Sequence, residues 1–313
     1  MTRQPDFEQF LRILKRDKAP IHLPFYEHIA SNGFISERTG VAIEKLNWNT
    51  IEAWRVYVNF WIDMGFDGVP IEIPPNLPVE EHESRTTQVS QGSEAFVSIR
   101  NMQDFENYPW PEPSAAVNIS HYERAAACLP DGAKLVAGVC AGPYEWASRL
   151  LGVEGLSLAI YMQPELVHAV FEKIGEIHTT ALRQIAALDA VGACRQGDDL
   201  GFKTSTFLSP EHLREYVFPI YRQMADISHT AGKPFILHSC GNLATVYDDI
   251  IDGCGIDAKH SFEDVIMPVT EFKQQYGSRV TPLGGLDVDF ICRADEEALR
   301  RYVRNIAEIC FAD

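Results

Sequence analysis

Residues 235–243 read FILHSCGNL. The apolar run is too short for a helix of its own, and turn-forming residues follow it, so residues 233–240 read as a buried β-strand. It ends on His238, Ser239 and Cys240, with Gly241 and Asn242 just beyond. His238 and Cys240 are two residues apart, and on a strand their side chains point the same way. An imidazole and a thiolate are natural zinc ligands, and a pair from one strand leaves a coordination position open for chemistry. The same pair also reads as a small buried thiol beside a hydrogen-bonded histidine, and two ligands alone do not make a metal site.

Six further runs resemble this one: 19–28, 67–74, 133–142, 190–199, 255–262 and 279–288. Most are apolar on both faces, as strands buried in a parallel sheet are. Helical segments separate them. Residues 6–17 form an amphipathic N-terminal helix. Thr50 opens a helix that Gly65 closes. From Pro164 to Leu188 the apolar residues Leu166, Val170, Ile174, Ile177, Ala181, Ile185 and Leu188 fall on one stripe. Ser209 and Pro210 suit an N-cap and a first helical position. Residues about 79–100 alternate around a glycine turn and read as an inserted hairpin. Strands alternating with helices along residues 1–313 give a single α/β domain. A doubly wound sheet would carry a glycine-rich phosphate turn after its first strand, which YEHIASNGF is not. A (β/α)8 TIM barrel fits better. It needs eight strands and seven are legible, so the eighth strand is expected to be missing by truncation at the C-terminus.

In a barrel the chemistry gathers at the C-terminal strand ends. Those ends carry Glu27 and His28, Glu72, Tyr144 and Glu145, Asp198 and Asp199, His238 and Cys240, Lys259 and His260, and Asp287. Asp198 and Asp199 are neighbours, so only one is expected to face the pocket, either binding a polar group or acting as a base. An Asx turn is the other reading of that pair. Asp287 follows Gly284 and Gly285, which either admit a ligand close to the backbone or mark a bulge. Glu72 lies in the proline-rich exit IEIPPNLP, and Glu145 sits where a helix begins and would balance its dipole. Asp198, Asp199, Asp287 and Glu72 are the catalytic candidates, and His238 and Cys240 the metal candidates.

With 27 Lys and Arg against 44 Asp and Glu, the formal charge is −17. That argues against nucleic-acid binding and against an anionic membrane surface. No apolar run is long enough to span a bilayer, and the N-terminus lacks the apolar core of a signal peptide. Seven scattered cysteines form no disulfide framework, so a cytoplasmic protein with reduced thiols is expected.

The segment from Gly197 to Leu243, followed by PLGGLDV at 282–288, resembles the uroporphyrinogen decarboxylase superfamily. AGPYEWASRLLG and MQPELVHAVFEKI fit the same pattern, and the resemblance covers most of the chain. It implies a TIM barrel whose members continue into a glycine-rich eighth strand and often form homodimers. It also implies one of two chemistries. The decarboxylases carry an arginine-rich N-terminal segment with an RQAGRY pattern, which APIHLPFYEHIASNGFISERTG lacks. Their catalytic aspartate, in an FSDIL motif, has Asp67 as its nearest counterpart. A polyanionic tetrapyrrole also suits an acidic rim poorly.

The other branch comprises cobalamin-dependent methyltransferases, with a zinc motif of H-x-C and a later cysteine. His238 and Cys240 match its first two ligands. The third belongs to the eighth-strand region, and Cys310, on a helix before it, does not replace it. The resemblance therefore implies a zinc-dependent methyltransferase that moves a methyl group between a corrinoid protein carrying methylcobalamin and a thiol. The alternatives are a metal-free carboxy-lyase like uroporphyrinogen decarboxylase and a non-catalytic small-molecule-binding barrel.

Overall fold

A computed structural model describes residues 3–79 and 97–311. The hairpin expected at about 79–100 lies, apart from its ends, outside the described residues. Among the described residues, six strands form one parallel sheet in sequential order: β1 (Gly68–Ile73), β2 (Lys134–Val139), β3 (Val191–Gly197), β4 (Phe235–His238), β5 (Ala258–His260) and β6 (Thr281–Leu283). Helices cover the connections. The longest, Pro164–Ala186, buries the predicted stripe from Leu166 to Ile185. The helix Ile51–Asp63 starts where Thr50 accepts the Ala53 N–H.

The run at 19–28 is not a strand but irregular chain. Pro20 and Pro24 lack the N–H groups that a ladder requires. The segment still climbs from one end of the sheet to the other. His22 contacts Asp67 just before β1, and His28 reaches the far end beside His238.

The strands are apolar on both faces because both faces are covered. Leu135, Ala137, Cys194, Phe235 and Leu237 pack outward in the large core under the helices. Val136, Ala193, Ile236, Ala258 and Leu283, one from each of β2 to β6, converge on Phe7, Phe10 and Leu14 of the N-terminal helix Phe7–Lys15. Five flat strands span about 19 Å, whereas this nine-residue helix is about 13.5 Å long. The sheet must therefore curl around the helix, which plugs the interior and leaves the C-terminal strand ends open above it.

Asp67 sits at the N-terminal end of β1. Its buried carboxylate accepts from Arg3 at 2.7 and 3.0 Å and from the Asp6 N–H at 2.7 Å, with His22 at 3.0 Å. Burial opposes its ionisation, but these partners hold it below the usual carboxylate range.

Candidate metal centre

Three neighbouring strand ends build the site. Register pairs Gly197 of β3 with His238 of β4, and His238 with His260 of β5. Two residues past each strand, Asp199 and Cys240 meet, and the Cys240 N–H donates to Asp199 Oδ1 at 2.9 Å. The two loops are clasped together: the Leu200 N–H donates to Ser239 Oγ at 3.2 Å and the Asn242 N–H to the Phe202 carbonyl at 2.7 Å. Gly241 is required here. Its φ is +86°, and a Cβ would lie 2.1 Å from the backbone of Gly201.

His238 Nε2 lies 3.5 Å from Cys240 Sγ and 3.5 Å from Asp199 Oδ1. The donor atoms of these three residues all fall within 4.8 Å of one another. Zinc at about 2.05 Å from nitrogen and about 2.3 Å from sulfur, with tetrahedral angles, separates those donors by about 3.5 Å; nitrogen and a carboxylate oxygen sit about 3.4 Å apart. The donor set and both distances fit a zinc ion.

Protonation states bear on that fit. Burial pushes the Asp199 carboxyl up, but the His238 ring and the Cys240 amide overcome it and bring it down to about 2. Burial holds the His238 ring below its ordinary value, with His28 and Arg195 adding to the effect against Asp199. That ring is neutral and carries a lone pair. Cys240 is pushed up to about 11, by burial and by the Asp199 charge, although Ser261 opposes the rise.

Around the donors lies a second ring of side chains. His238 Nδ1 is 2.7 Å from His260 Nδ1. His260 is buried, stands edge-on to Tyr26 with centroids 5.0 Å apart, and approaches Glu27 Oε1 at 3.6 Å through Nε2. Gly284, with φ +84°, lies against it; a Cβ there would come 3.0 Å from the imidazole. Glu27 also accepts from the His28 N–H at 2.8 Å and contacts His28 Nδ1 at 3.0 Å. The His28 ring lies against that of His238, with centroids 4.1 Å apart. His28, His238 and His260 thus form a second cluster of possible metal donors that shares His238.

On the other side, Cys240 Sγ is 3.3 Å from Ser261 Oγ. Ser261 has φ +83°, which costs a non-glycine residue roughly 1–3 kcal/mol. The buried amine of Lys259 donates to the Ser261 carbonyl and lies 4.3 Å from the Phe262 ring centroid. Burial brings that amine down to about 8.

The remaining candidates lie elsewhere. Asp198 points to the opposite face from Asp199. It is fully buried and accepts from the backbone N–H groups of Tyr144 and Glu145, at 3.0 and 2.9 Å, and from the Tyr221 hydroxyl at 2.8 Å. Burial and the Glu145 charge nonetheless push it up to about 8. Glu145 itself caps the helix Pro143–Leu151 by accepting the Gly142 N–H. Asp287 caps the helix Val288–Arg293 and also accepts the Asp264 N–H at 2.8 Å, joining the loops after β5 and β6. Glu72 is ion-paired with Arg195, which is wholly buried below the site. All seven cysteines are free thiols.

Of the six candidates, the structure gathers together the metal pair His238 and Cys240 and, from the four catalytic carboxylates, Asp199, which was not expected as a ligand. The sequence named Glu27, His28, Lys259 and His260 only as residues of the rim, and it overlooked Ser261. The signal for His260 was its place at a strand end, whereas His28 was named from a strand that is not formed, and nothing local to Ser261 marks it.

Residues 37–312 match the family described as Uroporphyrinogen decarboxylase (URO-D). The chain belongs to the URO-D family. The six-stranded parallel sheet with alternating helices is α/β and agrees with the TIM barrel of the URO-D family. No curated protein matches the sequence. Among the described residues of this URO-D protein, no helix is long and apolar enough to cross a membrane.

Proposed function

We propose that this URO-D protein is a zinc-dependent methyltransferase that moves a methyl group between a corrinoid protein and a thiol. The observation that carries the reading is that His238 Nε2 lies 3.5 Å from both Cys240 Sγ and Asp199 Oδ1, close to the separations of donors on one zinc ion. The chemistry a bound zinc supplies is the lowering of a substrate thiol's pKa, which delivers a thiolate at neutral pH.

The protein's own groups do the rest. His260 orients His238: with the shared hydrogen on His238 Nδ1, Nε2 is left free as a ligand. His28 is oriented by Glu27, whose hydrogen bonds from His28 overcome burial and keep the carboxylate ionised. By donating to Glu27, the His28 Nδ1–H leaves Nε2 as the atom with a lone pair, and we assign it to take the proton of the incoming thiol. The substrate sulfur then forms a bond to the methyl carbon as the carbon–cobalt bond breaks, its electron pair remaining on cobalt. The open barrel end is the face for the methylcobalamin-carrying partner.

Elemental analysis of wild type beside the His238→Ala/Cys240→Ala double variant tests the site. Near-stoichiometric zinc in the wild type, lost in the variant, supports it, and thiol-dependent demethylation of methylcobalamin tests the transfer. Absence of zinc after reconstitution overturns the reading. So does carbon dioxide release from uroporphyrinogen under anaerobic conditions, which is the activity of a metal-free decarboxylase.

A further inference from the structure

We propose that Ser261 protects the Cys240 sulfur from methylation, so that the methyl group passes to the substrate sulfur and not to the protein's own ligand. The inference rests on the zinc methyltransferase reading above. A site of that kind holds two sulfurs near one reactive methyl group. If Cys240 attacked, a carbon–sulfur bond would form on the protein and the carbon–cobalt bond would break, leaving its electron pair on cobalt. Cys240 would become a thioether, a poorer ligand than a thiolate, and the site would be spent.

The geometry supplies a safeguard. Ser261 Oγ lies 3.3 Å from Cys240 Sγ. A metal-bound cysteine is a thiolate with no hydrogen to give, so the serine hydroxyl must donate. That bond engages sulfur electron density that would otherwise attack carbon. The placement is held from behind, since the Lys259 amine donates to the Ser261 carbonyl. Glycine would adopt φ +83° without strain, yet the chain carries a hydroxyl-bearing residue at this point.

Methyl iodide tests this without a corrinoid, since the sulfur–carbon bond forms as the carbon–iodine bond breaks and iodide leaves. Zinc-loaded wild type, Ser261→Ala and Ser261→Gly are treated in parallel, and methylation of Cys240 is read by peptide mass spectrometry against that of exposed Cys292. The glycine variant relieves the backbone strain, so a folding defect in the alanine variant does not decide the result. The expected outcome is a rise of about fivefold to tenfold in the Cys240-to-Cys292 ratio in the variants. A ratio equal to wild type in a zinc-loaded variant overturns the inference alone. A wild type that takes up no zinc removes the metal reading and this inference together.

Discussion

His260→Ala tests whether the ring behind His238 serves the metal. The His260 imidazole is held between Tyr26 and Gly284 and meets His238 Nδ1 at 2.7 Å. Truncation removes one hydrogen bond, a net contribution of about 1 kcal/mol. It also opens a void into which the His238 ring turns, so fixing that ring on metal binding costs roughly 0.5 kcal/mol more in side-chain entropy. The sum of about 1.5 kcal/mol corresponds to slightly more than a tenfold loss of zinc affinity. That lies at the lower end of the roughly 10–100-fold found for partners of metal-bound histidines. Titration against a chromophoric chelator, below the melting temperature of each variant, measures it directly. His238→Ala, which removes a ligand, provides the comparison and must lose far more. If His260→Ala binds zinc as tightly as wild type while His238→Ala does not, the orienting role assigned to His260 is refuted.

Three other outcomes follow from the same geometry. In the metal-free protein Cys240 is pushed up to about 11, whereas His238 and Asp199 are already deprotonated at neutral pH. Zinc binding at pH 7–9 therefore releases one proton, and apparent affinity rises about tenfold per pH unit after correction for the chelator; a flat profile would contradict Cys240 as a ligand. Lys259 is lowered to about 8 in the fold, so between there and its unfolded value near 10.4 the folded state binds fewer protons and this residue's contribution to stability rises with pH. The melting temperature of wild type minus that of Lys259→Met should accordingly increase from pH 7 to pH 10, and a constant difference would count against the buried amine. Asp67 has the same sign in the acid range: its lowered pKa gives stability that is present above about pH 3.9 and lost as pH falls. Asp67→Asn should cost about 2 kcal/mol in denaturant unfolding at pH 7 while zinc content stays at the wild-type level, and loss of zinc would contradict its placement at the far end of the barrel.

The strands were legible because both of their faces are apolar, and the helix at Pro164–Ala186 because its stripe holds the helical period for six turns. The segment 19–28 misled because its apolar residues resemble a strand, whereas Pro20 and Pro24 cannot donate to one. In the site, His238 and Cys240 announced themselves by spacing, but the strand expected to carry both ends at His238, and Cys240 comes beside it from the loop beyond. The choice between Asp198 and Asp199 was not legible. It depends on the register of β3 against β4 and on which helix start lies below, and only the folded chain shows Asp198 gripped by Tyr144, Glu145 and Tyr221. Asp287 resembled a site carboxylate because it follows two glycines, while its contacts are those of a helix cap. The approach of Ser261 to Cys240 joins two loops 21 residues apart, which no local pattern encodes.

The charges weigh the metal reading against a metal-free decarboxylase. A polyanionic substrate needs cations facing the cavity. The two buried cations nearest this site are turned to other work: Arg195 is paired with Glu72, and Lys259 donates to the Ser261 carbonyl. What the site presents instead is the ionised carboxylates of Asp199 and Glu27, together with imidazoles that burial keeps neutral. Neutral rings and carboxylates are the protonation states in which side chains bind a divalent cation. Cys240 is the exception, because the Asp199 charge beside it disfavours a second anion. A dication between them reverses the sign of that interaction and would make the thiolate the favoured form. The arrangement is thus unfavourable for anion binding and one proton away from binding a metal, which is the argument for zinc over a carboxylate-rich ligand at this end of the barrel.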